Sequence, residues 1–374
     1  MTTCPPAEIG MSLAEVDTPA LLLDLDAFER NLARMAEAVR GTRVRLRPHA
    51  KTHKCPMIAL RQMAHGAVGV CCQKVGEAEA MVQGGVPDVY VSNEIVGPAK
   101  LARLAALARH ARVATCADDP LHVQGLSAAA QTYGVELTVL VEIDVGANRC
   151  GIAPGEPAAR LAQQVAAAPG LRFGGLQAYQ GASQHLRTHA ERQEAIQATV
   201  ARVRETQDAL KRLGLACETV TGAGTGTFVF ERDSGVFDEL QVGSYVFMDA
   251  DYSRNLDADG RPVHTFEHSL FVLATVMSRP TPTRVVVDAG LKALSVDSGM
   301  PLVAGRDDLA FERASDEHGR IAAADPARAP ALGETLRLIP GHCDPTVNLY
   351  DWYVGIRGGR VEALWPIAAR GAGR

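Results

Sequence analysis

The chain has 374 residues, of which 47% are hydrophobic, 22% charged and only 5% aromatic. Those figures fit two domains or one large barrel with an attachment, and exclude a small binding module or a disordered chain. The formal charge of -5, from 38 basic and 43 acidic residues with no block of like charge, argues against a nucleic-acid groove or an anionic membrane surface and leaves a small-molecule enzyme.

No apolar run approaches the roughly 18 residues that cross a bilayer. The start, Met1 to Pro19, lacks the basic and apolar regions of a secretion signal, so a cytoplasmic protein without membrane or nucleic-acid partners is expected. Eight cysteines (Cys4, Cys55, Cys71, Cys72, Cys116, Cys150, Cys217 and Cys343) are scattered without a CxxC pair. They read as reduced thiols, mostly in the core.

From residue 18 onward, short β-type apolar runs alternate with amphipathic helical stretches. Strands are expected at 18–25, 44–49, 67–73, 88–93, 112–117, 136–144, 171–179 and 218–224. Helices are expected at 27–39, 98–110, 157–168 and 191–214, with Gly66, Gly134 and Gly214 as helix stops. Eight strand-helix units over about 230 residues predict an α/β fold, a (β/α)8 barrel of the TIM type. A doubly wound sheet is the alternative, but the chain after Leu25 reads Asp26-Ala27-Phe28, without GxGxxG.

Beyond residue 265 the pattern changes to strands without long helices, at 269–277, 283–288, 336–339, 352–356 and 361–365. Gly358-Gly359 reads as a hairpin turn, and 322–331 as a surface loop. The expected division is a barrel over 14–262 and a C-terminal β domain over 263–374, with residues 1–13 packing against the latter.

Reactive groups in a barrel belong at the C-terminal ends of its strands. Those ends are polar here: Arg47-Pro48-His49-Ala50-Lys51-Thr52-His53-Lys54, Gln73, Asn93, Asp144 to Arg149, and Gln177-Ala178-Tyr179-Gln180. The loop Thr221-Gly222-Ala223-Gly224-Thr225-Gly226-Thr227 offers backbone N–H groups and hydroxyls for a phosphate, and Gly243-Ser244-Tyr245 can complete the cup. A flexible connection is its plain alternative. Lys51 sits among His49, His53 and Lys54, where positive charge is expected to lower its pKa toward nucleophilic use. Beside a phosphate cup, such a lysine suggests a Schiff base with pyridoxal 5'-phosphate, although loop lysines are ordinarily just solvated charges.

In Pro340-Gly341-His342-Cys343-Asp344-Pro345, residues i and i+2 of an extended chain point to one side about 6 to 7 Å apart. His342 and Asp344 can then share one ion while Cys343 faces away. An imidazole with a carboxylate favours Mn, Mg or Co, although HxD alone is a common pattern.

Together these segments, with Val70-Cys71-Cys72-Gln73-Lys74, Val91-Ser92-Asn93-Glu94, Gly175 to Tyr179, Glu239-Leu240-Gln241, Tyr245 to Asp249 and Pro340 to Asn348, resemble the D-threonine aldolase and D-serine dehydratase family of fold-type III pyridoxal-phosphate enzymes. The resemblance covers nearly the whole chain. It implies an alanine-racemase-like barrel plus β domain, working as a homodimer whose subunits help close each other's sites. It makes Lys51 the Schiff-base lysine, sets Gln73, Arg149 and Tyr179 around the cofactor, and assigns the phosphate to Thr221, Gly222, Gly224, Thr225, Gly226, Gly243, Ser244 and Tyr245. His342 and Asp344 become the metal ligands.

The dehydratase branch carries a cysteine and zinc where this chain has Asp344, which points to the aldolase branch and to cleavage of a D-3-hydroxy amino acid into glycine and an aldehyde. Within that branch the lysine motif looks closest to D-threonine aldolase. Asp288-Ala289-Gly290-Leu291-Lys292, Ser295 to Gly299 and Asp351 to Gly355 look closest to 3-hydroxy-D-aspartate aldolase. The base for the 3-hydroxyl is either a metal-bound water or a nearby histidine, with His185 the candidate and a surface-loop histidine its plain alternative. A dehydratase, a racemase and a non-catalytic cofactor-binding protein are the rival readings.

Overall fold

The computed structural model describes residues 4–374. The chain opens with β1 (Ala20–Asp24), after which Asp24 caps α1 (Leu25–Val39) by accepting a hydrogen bond from the Ala27 N–H at 3.0 Å. Eight parallel strands follow: β2 (Arg45–Leu46), β3 (Val70–Cys72), β4 (Asp88–Glu94), β5 (Arg112–Ala117), β6 (Leu137–Glu142), β7 (Leu171–Ala178), β8 (Thr219–Gly222) and β9 (Glu239–Leu240). They pair in the order β2-β9-β8-β7-β6-β5-β4-β3, and a parallel bridge from His49 to Cys71 joins the ends of the series. The result is the expected TIM-like barrel.

Local chemistry sets the helices between these strands. Proline stands in the first turn of α2 (Pro56–Ala64), α4 (Pro98–Leu107), α5 (Pro120–Tyr133) and α6 (Glu156–Ala167), where its missing N–H costs nothing, while α3 (Val75–Gln83) starts without one. Gly134 ends α5 in the left-handed region at φ 62. Thr188 and Glu191 form a capping box at the start of α7 (His189–Arg212). A short α8 (Phe228–Asp233) completes the ring.

The second domain is a nine-stranded sheet built from β1 and eight later strands. These are β10 (Leu270–Thr281), β11 (Arg284–Val287), β12 (Leu302–Val303), β13 (Leu309–Ala314), β14 (Gly319–Ala323), β15 (Thr335–Ile339), β16 (Trp352–Arg357) and β17 (Arg360–Pro366). Its main path runs β13-β14-β11-β10-β1-β16-β17, with β15 joining β10 to β12. Gly358 and Gly359 turn the last hairpin at φ 55 and 77, as expected. Ala322 and Ala323, assigned from sequence to a loop, instead finish β14.

The expected division of strands needs one correction. β1 was counted as the first barrel strand, yet it pairs antiparallel with β10 and parallel with β16, and β9 supplies the eighth barrel strand. Leu21, Leu22 and Leu23 are fully buried, each contributing about 1.5–3 kcal/mol of apolar burial. A run that is apolar at every position fits the middle of either sheet equally well. Residues 10–13 lie along the β16–β17 hairpin, with Gly10 N–H on Val361 O at 2.8 Å and Leu13 N–H on Gly359 O at 3.0 Å. Residues 1–3 fall outside the described residues. Among the described residues, no helix is long and apolar enough to cross a membrane.

The two domains meet over the C-terminal mouth of the barrel. The backbone of 250–251 hydrogen-bonds to Pro340 O and Gly341 O at 2.9 and 3.2 Å, and the Tyr353 hydroxyl donates to His53 O at 2.7 Å. These contacts bring the start of α9 (Cys343–Val347) to the turn that carries Lys51.

Candidate active site

A single pocket at this mouth is lined by Lys51, Gln73, Arg149, Tyr179, His185, Gly224, Thr225, Gly243, Ser244, His342 and Asp344. Sequence reasoning had singled out each of these residues. The remaining candidates fall elsewhere. Thr221 lies in the barrel interior, where its hydroxyl donates to Glu239 Oε1 at 3.2 Å. Gly222 ends β8, and Gly226 is in the loop behind the wall, where its N–H donates to Gln184 Oε1 at 2.9 Å. The Tyr245 ring packs on Phe266 with centroids 5.6 Å apart, and its hydroxyl accepts from Gln62 Nε2 at 3.2 Å. Tyr245 thus belongs to the core rather than to the lining.

Lys51 follows β2 on a turn and keeps its side chain 40% exposed, with Nζ 3.7 Å from Asp344 Oδ2. The expected lowering of its pKa does not occur. Burial and Arg149 work against its charge, but Asp344 and Tyr179 outweigh them, and the amine lies above the ordinary lysine value. Its neighbour His49 is buried and pushed well below the usual histidine range, first by burial and then by Lys51. His49 Nε2 lies 3.2 Å from both Gln73 Oε1 and Ser92 Oγ. The positive cluster read from the sequence is therefore a lysine beside a neutral imidazole.

On the opposite wall the Arg149 guanidinium lies over the Tyr179 ring, 5.5 Å from its centroid. Its Nη2 is 3.6 Å from Glu142 Oε1. Burial and the neighbouring Glu94 raise Glu142 to about 8. The floor is polar: Gln241 Nε2 donates to Gln177 Oε1 at 2.7 Å and to Thr221 Oγ1 at 2.9 Å, and Tyr90 donates to Gln177 Oε1 at 2.9 Å.

The glycine loop is held from behind. Gln184 Nε2 donates to Thr227 Oγ1 at 2.9 Å, and that hydroxyl donates to Glu231 Oε1 at 2.8 Å. A Cβ at Gly243 would stand 2.5 Å from Thr52 Oγ1, so only glycine leaves the cup open there. The hydroxyls of Thr52 and Thr225 are buried without a hydrogen-bond partner among the described residues. Buried polar atoms are rarely left so, and two orphan hydroxyls beside a glycine loop fit a phosphate.

His342 and Asp344 share the pocket, but not on an extended strand. His342 is the N-cap of α9, with φ -146 and ψ 126, and Asp344 lies in its first turn. Helix start and extended residue together produce the convergence that period-two alternation was expected to produce. Cys343 faces away as expected, its thiol on Met248 O at 3.4 Å. Asp344 Oδ1 is buried without a partner, which fits a cation. His342 Nδ1 lies 2.8 Å from Asp297 Oδ2, leaving Nε2 for a ligand. Among the described residues, no group of three or more His, Cys, Asp or Glu is arranged for a metal.

The structure adds Asp249, Asp251 and Tyr252 to the lining. Burial lifts Asp249 to about 6, and its carboxylate accepts from the N–H groups of Tyr252 and Cys343 at 2.9 and 3.2 Å. Asp251 Oδ2 is 2.7 Å from His185 Nδ1. The signal for these was the Asp249-Ala250-Asp251 spacing, two carboxylates at i and i+2 just past the last barrel strand.

A barrel with a lysine at its mouth, a glycine cup holding orphan hydroxyls and an added β domain defines a pyridoxal-phosphate enzyme of the alanine-racemase fold. Residues 23–251 match the family described as alanine racemase, N-terminal domain, and residues 269–356 match the putative serine dehydratase domain. The chain is 50% identical over 372 residues to 3-hydroxy-D-aspartate aldolase of Paracoccus denitrificans (strain Pd 1222), covering 98% of this chain and 96% of that one. It is also 50% identical over 370 residues to D-threonine aldolase of an Arthrobacter species, covering 99% and 97%. The crystal structure of D-threonine aldolase from Filomicrobium marinum superposes with a TM-score of 0.96 at 54% identity, over 98% of this chain and 99% of that one. The chain belongs to the family of these D-3-hydroxy-amino-acid aldolases, which are carbon-carbon lyases.

Proposed function

We propose that the protein cleaves D-3-hydroxy amino acids to glycine and an aldehyde, with pyridoxal 5'-phosphate and a divalent cation, Mn, Mg or Co. The observation that carries this reading is the approach of Lys51 Nζ to Asp344 Oδ2 at 3.7 Å within one pocket. It sets the amine that would hold the cofactor beside the carboxylate that would hold the ion.

The cofactor, when bound, supplies an electron sink for the pair left on the α carbon. The cation supplies charge that lowers the pKa of the substrate 3-hydroxyl. Thr52, Thr225, Ser244 and the glycine backbone would hold the phosphate, Arg149 and Tyr179 would hold the ring, and His342 and Asp344 would hold the ion. His185 takes the hydroxyl proton, and for this the histidine must be neutral with a free nitrogen toward the pocket. Lys51 and the metal pair stand on fixed sides of the bound substrate, which selects one hand at the α carbon.

A homodimer is part of this proposal. Met300, on the loop beyond Asp297 and Ser298, and Leu302, at the start of β12, are 41% and 51% exposed, an apolar surface that a second subunit would cover close to the site.

The test is product formation from D-threonine and D-3-hydroxyaspartate with pyridoxal 5'-phosphate and Mn, before and after EDTA. Glycine with acetaldehyde or glyoxylate, abolished by EDTA, is the expected result, and the ratio of the two rates names the preferred substrate. Ammonia with a keto acid would overturn the aldolase reading in favour of a dehydratase.

A further inference from the structure

We infer that Asp251 is a positioning residue that fixes His185 in one tautomer, with the proton on Nδ1, while Arg187 and Arg254 hold the Asp251 carboxylate in place. The inference rests on the reading of His185 as the base and deepens it.

The geometry is a four-residue knot at the pocket rim. Asp251 is only 6% exposed. Its Oδ2 faces His185 Nδ1 at 2.7 Å, and its Oδ1 accepts from Arg187 Nη2 at 2.5 Å and from Arg254 Nη2 at 2.9 Å. Both arginines are also anchored elsewhere. Arg187 Nη1 donates to Asp251 O at 2.8 Å and to Asn255 Oδ1 at 2.9 Å, and Arg254 Nη2 donates to Ser298 O at 2.5 Å. The Asp251 N–H is held by Gly341 O at 3.2 Å, so the carboxylate is fixed between the barrel and the loop carrying His342.

A carboxylate accepts only, so the proton sits on His185 Nδ1 and Nε2 keeps its lone pair. Two guanidiniums on Oδ1 keep the carboxylate from turning, so that Oδ2 stays aimed at the imidazole. The Tyr252 ring lies beside His185, with centroids 6.3 Å apart, and the same pocket carries Lys51, Arg149, His49, Tyr179, Asp249, His342 and Asp344.

The test uses holoenzyme labelled with 15N-histidine, the His185 signal being assigned by its loss in His185→Gln. Long-range proton–nitrogen spectra at pH 7 should show His185 neutral with the proton on Nδ1. In Asp251→Asn the two arginines, which only donate, hold the amide oxygen and turn the amide N–H toward His185, so the proton should move to Nε2. With D-threonine, pyridoxal 5'-phosphate and Mn, kcat should then fall about 10²- to 10⁴-fold with KM little changed. Asp251→Glu should recover part of the rate. Equal cofactor absorbance in all variants confirms an intact fold. A charged His185 in the wild type, or an unmoved tautomer in Asp251→Asn, overturns the inference. Full activity in His185→Gln would instead remove the base reading, and the spectra would still judge whether Asp251 fixes the tautomer.

Discussion

Lys51 and Asp344, 293 positions apart in sequence, face each other with Nζ 3.7 Å from Oδ2. One comes from a turn at the barrel mouth, the other from the first turn of α9, so the pocket exists only where the two domains touch. Replacing Lys51 with alanine removes the amine that would anchor the cofactor. Gel-filtered Lys51→Ala should lack the visible absorbance of bound pyridoxal phosphate and show no aldolase activity. Retained absorbance would shift the anchor to another amine.

Asp344→Ala separates the metal from the cofactor. The variant should keep its visible absorbance, because Lys51 and the glycine cup are untouched. It should bind Mn at least about 100-fold more weakly, by titration followed with electron paramagnetic resonance, and lose activity in parallel. Wild-type activity without added metal would remove the cation from the proposal.

Gly243→Ala tests the cup by steric means alone. The added Cβ would stand 2.5 Å from Thr52 Oγ1 and 3.4 Å from His49 Cβ, and one side or the other must shift. Overpacking of this kind costs about 1–3 kcal/mol. Affinity for pyridoxal phosphate, read by fluorescence titration of the apoenzyme, should drop about tenfold or more, with the melting temperature little changed.

Glu231 gives the fold a pH dependence of its own. Burial raises its carboxyl to about 7, with the Thr227 hydroxyl pulling the other way. A folded-state value above the unfolded one means that the native protein binds the extra proton. The stability this confers is complete below about pH 4.5 and is lost as pH rises through 7, on the order of 3 kcal/mol in all. Glu231→Gln should therefore melt higher than wild type at pH 8 and nearly the same at pH 5, by calorimetry. Equal melting temperatures at pH 8 would show that the buried carboxylate carries no penalty.

Much of the barrel was legible because its strands are short apolar runs closed by glycine or proline, and because their polar ends stand out against them. Lys51, Tyr179 and the glycine loop could be read for that reason. What failed was assignment between sheets. β1 carries no alternation to say which face is buried or which sheet receives it, whereas β9 is two residues long and looks like the end of a loop. In the second domain β13 and β14 escaped notice because charged residues such as Arg313 and Arg320 stand within them, on strands that expose one face.

The site residues that escaped notice share another cause. Asp251 acquires its meaning from His185, Arg187 and Arg254, which lie on two different loops, and no spacing along the chain records that meeting. The HxD pair does reach the pocket, but through another geometry than expected, since the two side chains converge across a helix cap rather than along a strand. Tyr245, in the same short stretch as Gly243 and Ser244, turns inward to Phe266, and a one-residue difference in direction cannot be read from composition.

The place of β1 between β10 and β16 makes the barrel an insertion within the sheet, entered at Asp24 and left before Leu270. A barrel hung on one linker could swing away and open the mouth. This one is tethered twice, and one tether is a central strand. Expressing 263–374 alone would leave out β1 and open a gap in the sheet, with the paired edges of β10 and β16 laid bare. The practical consequence is that the two halves should resist separate expression and fold as a single cooperative unit, with one melting transition rather than two.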